Sequence, residues 1–297
     1  MKVRIGYGFG AQRGFTAEGF GEMVDALDEL GFDSLWLSER ITADAPDPII
    51  GLAVAAGRSS RLKLGTSVQV LPGRNPAVLA KELATLDVLS GGRFLPAFGL
   101  GIAHPAEQQA FGIERTERAA YFEEALPLLR RFWLEDAVDH DGERFHYSAL
   151  RVRPHPVQRP PDIWLGGRAP AELRRVGRLA DGWLASFSMP DECAAGRVII
   201  DEVAAAHDRA IDPEHFGAMV FYSPGQIPDP IRTLIAQRSP NVDPHELIPG
   251  TLDQLEQRIG EYVAVGFSKL VLVPMHNPEH WVSELEPIAR RVRPLET

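Results

Sequence analysis

The feature that most constrains the fold is residues 61–101, with the sequence RLKLGTSVQVLPGRNPAVLAKELATLDVLSGGRFLPAFGLG. The pattern predicts a strand, a break rich in Pro, Gly and Asn, an amphipathic helix, a Ser-Gly-Gly stop and a second strand that ends in glycines. The helix prediction depends on apolar residues at helical spacing, which are Val78, Leu79, Leu83, Leu86 and Leu89. Both strands are apolar enough to be buried on two faces, so the stretch is predicted to be one βαβ unit of a parallel sheet. Ligands of such sheets bind at the carboxyl ends of the strands, here residues 67–71 and 99–101.

The same alternation of strand and helix continues over the rest of the 297 residues. Eight strands are predicted, and no abrupt change of composition marks a domain boundary. The predicted fold is therefore α/β, a single-domain (β/α)8 TIM barrel over residues 1–297. Insertions are predicted after strands 4 and 7, the second as a helical excursion over residues 227–247. Residues 136–161 are charged, aromatic and rich in proline, which predicts a surface hairpin or an irregular loop.

The composition excludes several classes of protein. A formal net charge of −10 argues against a nucleic-acid surface, because phosphate binding draws on clustered Lys and Arg. Cys193 is the only cysteine, which excludes an intramolecular disulfide and a thiolate metal cluster and fits a reducing cytoplasm. Neither a secretion signal nor a run of about 18 apolar residues is found. We therefore expect a cytoplasmic protein with a small-molecule substrate, and neither a nucleic-acid nor a membrane partner.

Charged residues follow two of the predicted strands, at what would be the mouth of the barrel, meaning the carboxyl ends of its strands. Glu39 and Arg40 follow the second strand, where they are either an ion pair within a loop or side chains at the mouth. His104 follows the fourth strand and His276 the eighth, so both could face the mouth. His276 and His280 have the i, i+4 spacing of a metal site, but a proline lies between them and no His-Glu-x-x-His motif is present. No metal site is predicted.

The fifth predicted strand ends in Gly166, Gly167 and Arg168 and opens directly into a helix. Backbone N–H groups, the helix dipole and an arginine converge there, which favours an anion such as phosphate. A tight left-handed turn that requires glycine is the alternative explanation of the same residues. Ser186 and Ser188, at the end of the next strand, could add a hydroxyl group to this site.

Several chemistries lack their sequence patterns. No Gly-x-Ser-x-Gly motif indicates acyl transfer, and only Glu39 lies at a strand end as the paired carboxylates of a glycosidase would. Gly99, Leu100 and Gly101 lack the third glycine of a dinucleotide fingerprint. The remaining interpretation is a barrel that binds a flat ring with a phosphorylated tail.

At this point the sequence resembles the bacterial luciferase-like family of flavin- and deazaflavin-dependent oxidoreductases, the luciferase-like monooxygenase superfamily. The matching segments, which span most of the chain in the family's order, are GFDSLWLSER, RLKLGTSVQVLPGRNPAVLAKELATLDVLSGGRF, FGLG, PPDIWLGG, LADGW and GTLDQLEQRIGEYVAVGFSKLVLVP. The branch that depends on coenzyme F420 is most similar, because GTSV is followed by an Asn-Pro-Ala-Val helix start. The resemblance implies F420 as the cofactor, with FMN as the alternative, and a homodimer.

The resemblance also implies roles for individual residues. Ser67 and Val68 match a bond that is often a non-prolyl cis peptide and forms a bulge behind the deazaflavin ring. Glu39 matches an aspartate near the ring. The positions that match cofactor contacts are Ser67, Val68, Gly99, Leu100, Gly101, Gly166, Gly167, Arg168 and Ser186.

Three residues depart from the sugar-phosphate dehydrogenases of this branch: Arg40 replaces a histidine, Ile102 a glutamate and Met189 a lysine. The departures imply an F420-dependent oxidoreductase whose organic substrate is not a sugar phosphate. Arg40 or His104 would stabilise charge or deliver a proton as the catalytic residues. Two alternatives remain: an FMN-dependent monooxygenase of the same fold, and a non-catalytic F420-binding protein.

Overall fold

A computed structural model describes residues 1–10, 14–238 and 243–297, in which strands and helices alternate along the chain. The strands are β1 (Arg4–Gly8), β2 (Ser34–Leu37), β3 (Lys63–Thr66), β4 (Gln69–Val70), β5 (Phe94–Leu95), β6 (Ala97–Gly99), β7 (Val138–Asp141), β8 (His146–Leu150), β9 (Trp164–Gly166), β10 (Gly182–Ala185), β11 (Phe216–Tyr222) and β12 (Lys269–Pro274). The helices are α1 (Ala17–Glu29), α2 (Pro48–Arg58), α3 (Pro76–Leu89), α4 (Pro105–Phe111), α5 (Arg118–Leu134), α6 (Pro170–Leu179), α7 (Pro190–Ala205), α8 (Asp229–Arg238), α9 (Pro244–Leu247), α10 (Leu252–Ala264) and α11 (Trp281–Val292), and a 3-10 turn follows at Arg293–Leu295.

Ten of these strands form one curled parallel sheet, in the order β4-β6-β9-β10-β11-β12-β1-β2-β3-β5. The third predicted strand is divided into β3 and β4, and the fourth into β5 and β6, which is why eight predicted strands correspond to ten observed ones. β3 pairs with β5 at one end of the sheet order, and β4 pairs with β6 at the other end. Both ends of the order are therefore formed by the third and fourth predicted strands. The prediction of an α/β fold with a parallel sheet is confirmed.

The helix of the opening stretch begins where the sequence predicts it. Asn75 caps α3, and its side-chain oxygen accepts the N–H groups of Ala77 at 2.9 Å and Val78 at 3.2 Å. Leu79, Leu83 and Leu86 are buried, but Val78 and Leu89 are 57% and 69% exposed. Their place in the apolar stripe was wrongly predicted, because at about 100° per residue both lie roughly 80–100° away from Leu79 around the helix axis.

Two apolar layers make up the core. The larger layer lies between the sheet and the surrounding helices, and the smaller one fills the inside of the curled sheet, with Trp36, Trp164, Leu184, Met219 and Val271 among its members. The apolar stripe of α5 belongs to the larger layer, where Phe122, Leu126, Leu129 and Trp133 are all buried. This stripe is therefore part of the core.

Two segments interrupt the alternation of strand and helix. The predicted hairpin within residues 136–161 is present as the antiparallel pair β7 and β8. The predicted excursion over residues 227–247 contains α8 and α9, while its residues 239–242 lie outside the described residues. Ile227, Ile235 and Leu247 from this segment join the apolar layer inside the sheet, so the segment packs over the carboxyl ends of the strands.

Gly65 and Gly57 offer a matched test of the inner packing. A Cβ atom at Gly65 would overlap the Trp36 ring, so we expect Gly65→Ala to lower the free energy of unfolding by about 1–3 kcal/mol. Gly57 lies in α2 with nothing within 4 Å of an added Cβ, and Gly57→Ala should leave stability unchanged or raise it by up to about 1 kcal/mol. Urea unfolding followed by tryptophan fluorescence measures both variants, and equal losses in the two would contradict the packing argument.

Candidate active site

The carboxyl ends of five neighbouring strands are more open than the strands themselves. The strand interiors are buried, whereas the first residues at the mouth are half-buried, namely Ser38, Val68, Gly99, Gly166 and Ser186. These positions belong to β2, the β3–β4 junction, β6, β9 and β10, which are neighbours in the sheet. A ligand at the mouth would contact them all from one side.

The bond between Ser67 and Val68 is a cis peptide, as the resemblance implies. Ser38 Oγ donates to the carbonyl of Ser67 at 2.8 Å, and the Glu39 N–H donates to the carbonyl of Val68 at 3.1 Å. The peptide is therefore held by the end of β2.

The side chain of Val68 lies between two glycines of the neighbouring strands. A Cβ at Gly99 would come within 2.6 Å of Val68 Cγ2, and one at Gly166 within 3.0 Å of Val68 Cγ1. Both glycines are thus required for Val68 to project toward the centre of the mouth. Val68, Gly99 and Gly166 are brought together as the resemblance implies for a ring platform.

Glu39 is 6% exposed and ties two loops together. One carboxylate oxygen accepts the Val70 N–H at 2.6 Å, and the other pairs with the guanidinium of Arg74. Burial raises the pKa of Glu39, and the Arg74 charge offsets only part of that increase. The loop ion pair considered from the sequence does not form between Glu39 and Arg40, because Glu39 pairs with Arg74 and Arg40 with Glu107.

Arg40 is exposed and pairs with Glu107, a residue that no sequence pattern indicates. Glu107 is 3% exposed and accepts the N–H of Ile41 at 3.0 Å, the N–H of Thr42 at 3.1 Å and the Thr42 hydroxyl at 2.6 Å. Burial alone would raise the pKa of Glu107, but these hydrogen bonds and Arg40 outweigh it and lower the pKa. One carboxylate therefore fixes the loop that follows β2 against α4.

Arg118 fixes the segment that follows β6. Its guanidinium is buried and donates to the carbonyls of Leu100 at 2.9 Å, Gln108 at 3.2 Å and Ile113 at 3.2 Å. Gly101 has a φ of +82°, and a Cβ there would come within 2.7 Å of Arg118 Nη1. His104 begins α4, which also carries Glu107, and is exposed without a side-chain cap bond.

The anion site predicted at Gly166, Gly167 and Arg168, which we call the anion cradle, bonds to a carboxylate of the chain itself. The N–H groups of Arg168 and Ala169 both donate to Glu172 Oε2 at 2.9 Å, and Gly167 has a φ of +118°. The glycine turn is therefore present, and Glu172 occupies two of the donors expected for an anion. Arg168 Nη1 donates to the carbonyl of Phe187 at 2.9 Å, at the end of β10 beside Ser186.

The two histidines after β12 are not brought together as metal ligands. His276 lies 3.1 Å from Glu284 Oε1, which also accepts the Tyr222 hydroxyl at 2.6 Å, and His280 begins α11. Within residues 1–10, 14–238 and 243–297, no group of three or more His, Cys, Asp and Glu side chains could hold a metal ion. In the same described ranges, no helix is long and apolar enough to cross a membrane.

Comparison with known proteins identifies the family. The family model described as luciferase-like monooxygenase matches residues 4–244. The chain belongs to this family, and the resemblance stated from the sequence is confirmed.

Curated relatives and solved structures agree with this assignment. The chain is 31% identical to an F420-dependent glucose-6-phosphate dehydrogenase of Kineococcus radiotolerans over 61% of the chain and 56% of that protein, so it spans little more than half of that relative. It is 27% identical to a protein of the same description from Microbacterium testaceum, over 94% of each. Both of these relatives are described as F420-dependent dehydrogenases.

Solved structures share the fold at lower identity. Monooxygenase RslO1 of Streptomyces bottropensis has a TM-score of 0.83 at 22% identity, covering 99% of both chains. The F420-dependent tetrahydromethanopterin reductase of Methanopyrus kandleri has a TM-score of 0.78 at 18% identity, covering 100% of both. A type II Baeyer–Villiger monooxygenase of Pseudomonas putida in complex with FMN has a TM-score of 0.76 at 18% identity, covering 100% of this chain and 99% of that one. Both predicted cofactors thus occur among proteins of this fold.

Replacing Glu107 tests whether its carboxylate stabilises the loop after β2. In Glu107→Gln we expect the amide hydrogens of Ile41 and Thr42 to exchange about 5- to 10-fold faster, because a hydrogen bond to a charged acceptor is worth roughly 1 kcal/mol more than one to a neutral acceptor. Hydrogen–deuterium exchange measures this. Glu114→Gln, which removes an exposed carboxylate from the same segment, is the control, and unchanged exchange in Glu107→Gln would contradict the role.

The same contacts predict a pH dependence. Because the folded pKa of Glu107 lies below its ordinary value of 4.5, its contribution to loop stability is complete above that pH and is lost as the pH falls through the folded value. After correction for intrinsic exchange, protection of Ile41 and Thr42 should be constant down to about pH 5 and then decrease. A decrease that is equally large in Glu107→Gln would assign the effect to another group.

Proposed function

We propose that this chain is an F420-dependent oxidoreductase that transfers a hydride between the deazaflavin and an organic substrate other than a sugar phosphate. The observation that carries the proposal is the mouth itself, where Val68 projects between Gly99 and Gly166. These are the positions that the F420 branch assigns to a ring platform. The F420-dependent relatives that align with 56% and 94% of their lengths add support.

The proposal includes a single domain over residues 1–297, built as a (β/α)8 barrel with insertions after the fourth and seventh predicted strands. The pairing of β3 with β5 and of β4 with β6 supports closure of the curled sheet. α4 lies in the first insertion, and α8 and α9 lie in the second.

The residues at the mouth fit a flat ring with an anionic tail. Bound F420 would supply a deazaflavin carbon that accepts or donates hydride. Val68 and the Gly99–Leu100–Gly101 backbone would support the ring, with Ser67 held behind it by Ser38 and Glu39 bracing the edge. Because the loops after β2, β4 and β6 are already fixed by buried side chains, binding would cost little ordering of the chain.

The tail of the cofactor would use Gly166, Gly167, Arg168 and Ser186. Two backbone donors of this cradle bond to Glu172. An anion that takes these donors must displace the Glu172 carboxylate, since two negative groups sharing one pair of donors repel each other.

Arg40 and His104 are the proposed residues that handle charge at the substrate. The guanidinium of Arg40 is a cation that only donates hydrogen bonds, so its role would be to stabilise negative charge on the substrate. Histidine is the side chain that enzymes use most often as a general acid or base, so His104 would be the proton donor of the two. Both residues lie next to α4.

A homodimer in the cytoplasm completes the proposal. Exposed apolar side chains on two neighbouring helices support an interface between copies, namely Ile50 and Val54 of α2 and Val78 and Leu89 of α3. The single cysteine, Cys193, is buried, which suits a reducing compartment.

An FMN-dependent monooxygenase is the second candidate, because two of the similar folds are monooxygenases and one of them holds FMN. Free reduced FMN reacts with oxygen by itself, so the test is whether the protein together with chemically reduced FMN inserts oxygen into an organic substrate. Oxygenated product would favour this candidate, and its absence, together with F420 binding, would favour the first.

Titration with F420 and with FMN, followed by fluorescence, tests the cofactor. We expect saturable F420 binding that is at least about tenfold tighter than FMN binding, a difference of about 1.4 kcal/mol. Gly99→Ala, whose Cβ would crowd Val68, should weaken F420 binding by a similar factor, whereas the control Gly57→Ala should not. FMN binding without F420 binding would overturn the proposal.

A further inference from the structure

Two phenylalanine rings stack at the ends of neighbouring strands. Phe187 follows β10 and Phe221 lies near the end of β11, with ring centroids 4.0 Å apart and an interplanar angle of 18°. β10 and β11 are paired in register, Ala185 opposite Ala218, so the stack lies at the mouth. Phe187 is half-buried and Phe221 is buried.

The backbone of Phe187 is strained. Its φ is +51°, in the left-handed region that bulky side chains rarely adopt. Glycine or asparagine would adopt this conformation more readily, so the turn alone does not explain why a phenylalanine is present at this position. A strained residue at a strand end of the mouth is a candidate for a functional role.

Neighbouring side chains hold the strained segment from two sides. Arg168 Nη1 donates to the carbonyl of Phe187 at 2.9 Å, and the Tyr262 hydroxyl donates to the carbonyl of Ser188 at 2.5 Å. Tyr262 belongs to α10 and Arg168 to the loop after β9. The backbone that carries Phe187 is thus held by contacts from separate elements, and the ring itself packs on Phe221.

The surroundings of the stack are apolar. The rings belong to a cluster that we call the mouth cluster, which contains Phe187, Met189, Met219, Phe221, Ile227, Ile231, Ile235, Leu247, Ile248, Val273 and Met275. Three of its members are methionines, whose flexible and polarisable side chains adapt to ligands of varied shape. The cluster extends from the inside of the sheet to the segment that packs over the strand ends.

We propose that Phe187 and Phe221 form the wall against which the carbon skeleton of the substrate packs, and that Phe187 selects a flat, uncharged aromatic or conjugated substrate. The inference rests on the proposed function, because it assumes that the reacting group lies at the mouth. Stacking on an aromatic face favours planar ligands over flexible chains of the same apolar area. The apolar lining disfavours ligands that carry a phosphate, since burying such a charge without a partner is costly.

The test uses 6-propionyl-2-dimethylaminonaphthalene, an uncharged aromatic ketone whose emission shifts to the blue in an apolar site. Its affinity for the full chain is measured by fluorescence without added cofactor, and F420 affinity is measured separately. Competitors are 2-acetylnaphthalene, the linear ketone 2-undecanone and glucose 6-phosphate. Binding of the dye therefore reports on the wall independently of cofactor binding and of catalysis.

Two truncations distinguish the effect of the phenyl ring on dye binding from the effect of the backbone strain. Phe187→Gly suits a φ of +51° and removes the ring, whereas Phe187→Ala removes the ring and keeps the strain. Both should raise the dissociation constant of the dye about 3- to 10-fold, and Phe187→Tyr, which keeps the ring, should change it less than about 2-fold. Val198→Ala, on an exposed face of α7, is the control, and thermal melting confirms that each variant folds.

The outcomes distinguish this inference from the proposed function. The wall is supported if both truncations weaken dye binding, and if 2-acetylnaphthalene displaces the dye while 2-undecanone and glucose 6-phosphate do not. It is overturned if Phe187→Gly binds the dye as tightly as the unchanged chain, if the dye does not bind at all, or if 2-undecanone or glucose 6-phosphate displaces it. If the unchanged chain does not bind F420 while the dye results are as expected, the cofactor assignment is overturned and the inference about the wall stands.

Discussion

The packing of two indole rings against glycines inside the curled sheet is the constraint on which the rest of the structure depends. Trp36 lies against Gly6 and Gly65, and its Nε1 donates to Ser34 Oγ at 2.9 Å. Trp164 lies in the same way against Gly182, where a Cβ would come within 2.5 Å of the indole. Both rings are buried, and at the carboxyl ends of the strands Gly99 and Gly166 leave room for the Val68 side chain.

Buried charges organise the loops at the carboxyl ends of the strands. Glu39 joins the loop after β2 to that after β4, Glu107 joins it to α4, and Arg118 gathers three carbonyls of the segment after β6. Each charged group is compensated by hydrogen bonds, which for Glu39 and Glu107 come from residues distant in sequence and for Arg118 from nearer carbonyls. A site assembled in this way is preorganised, and the energy of binding is not spent on ordering loops.

Arg168 connects the two halves of the proposed site. Its backbone N–H lies in the anion cradle with Glu172, and its side chain holds the carbonyl of Phe187. The residue that would respond to a cofactor tail is thus the residue that fixes the aromatic wall.

The sequence by itself determined the alternation of strands and helices, the start of α3 at Asn75 and the membership of the family, because periodicity, helix-start signals and motif spacing are local properties. The Glu172 cap of α6 was also within reach of local reasoning, since a glutamate three residues after the cap position is a known signal. Only the tertiary structure paired Arg40 with Glu107, 67 residues away, placed Val68 between two glycines and stacked Phe187 on Phe221. These contacts join distant segments, and no local pattern encodes which side chains meet when the sheet curls. The exposure of Val78 and Leu89 has the same origin, because a helix buries only the face that its neighbours cover.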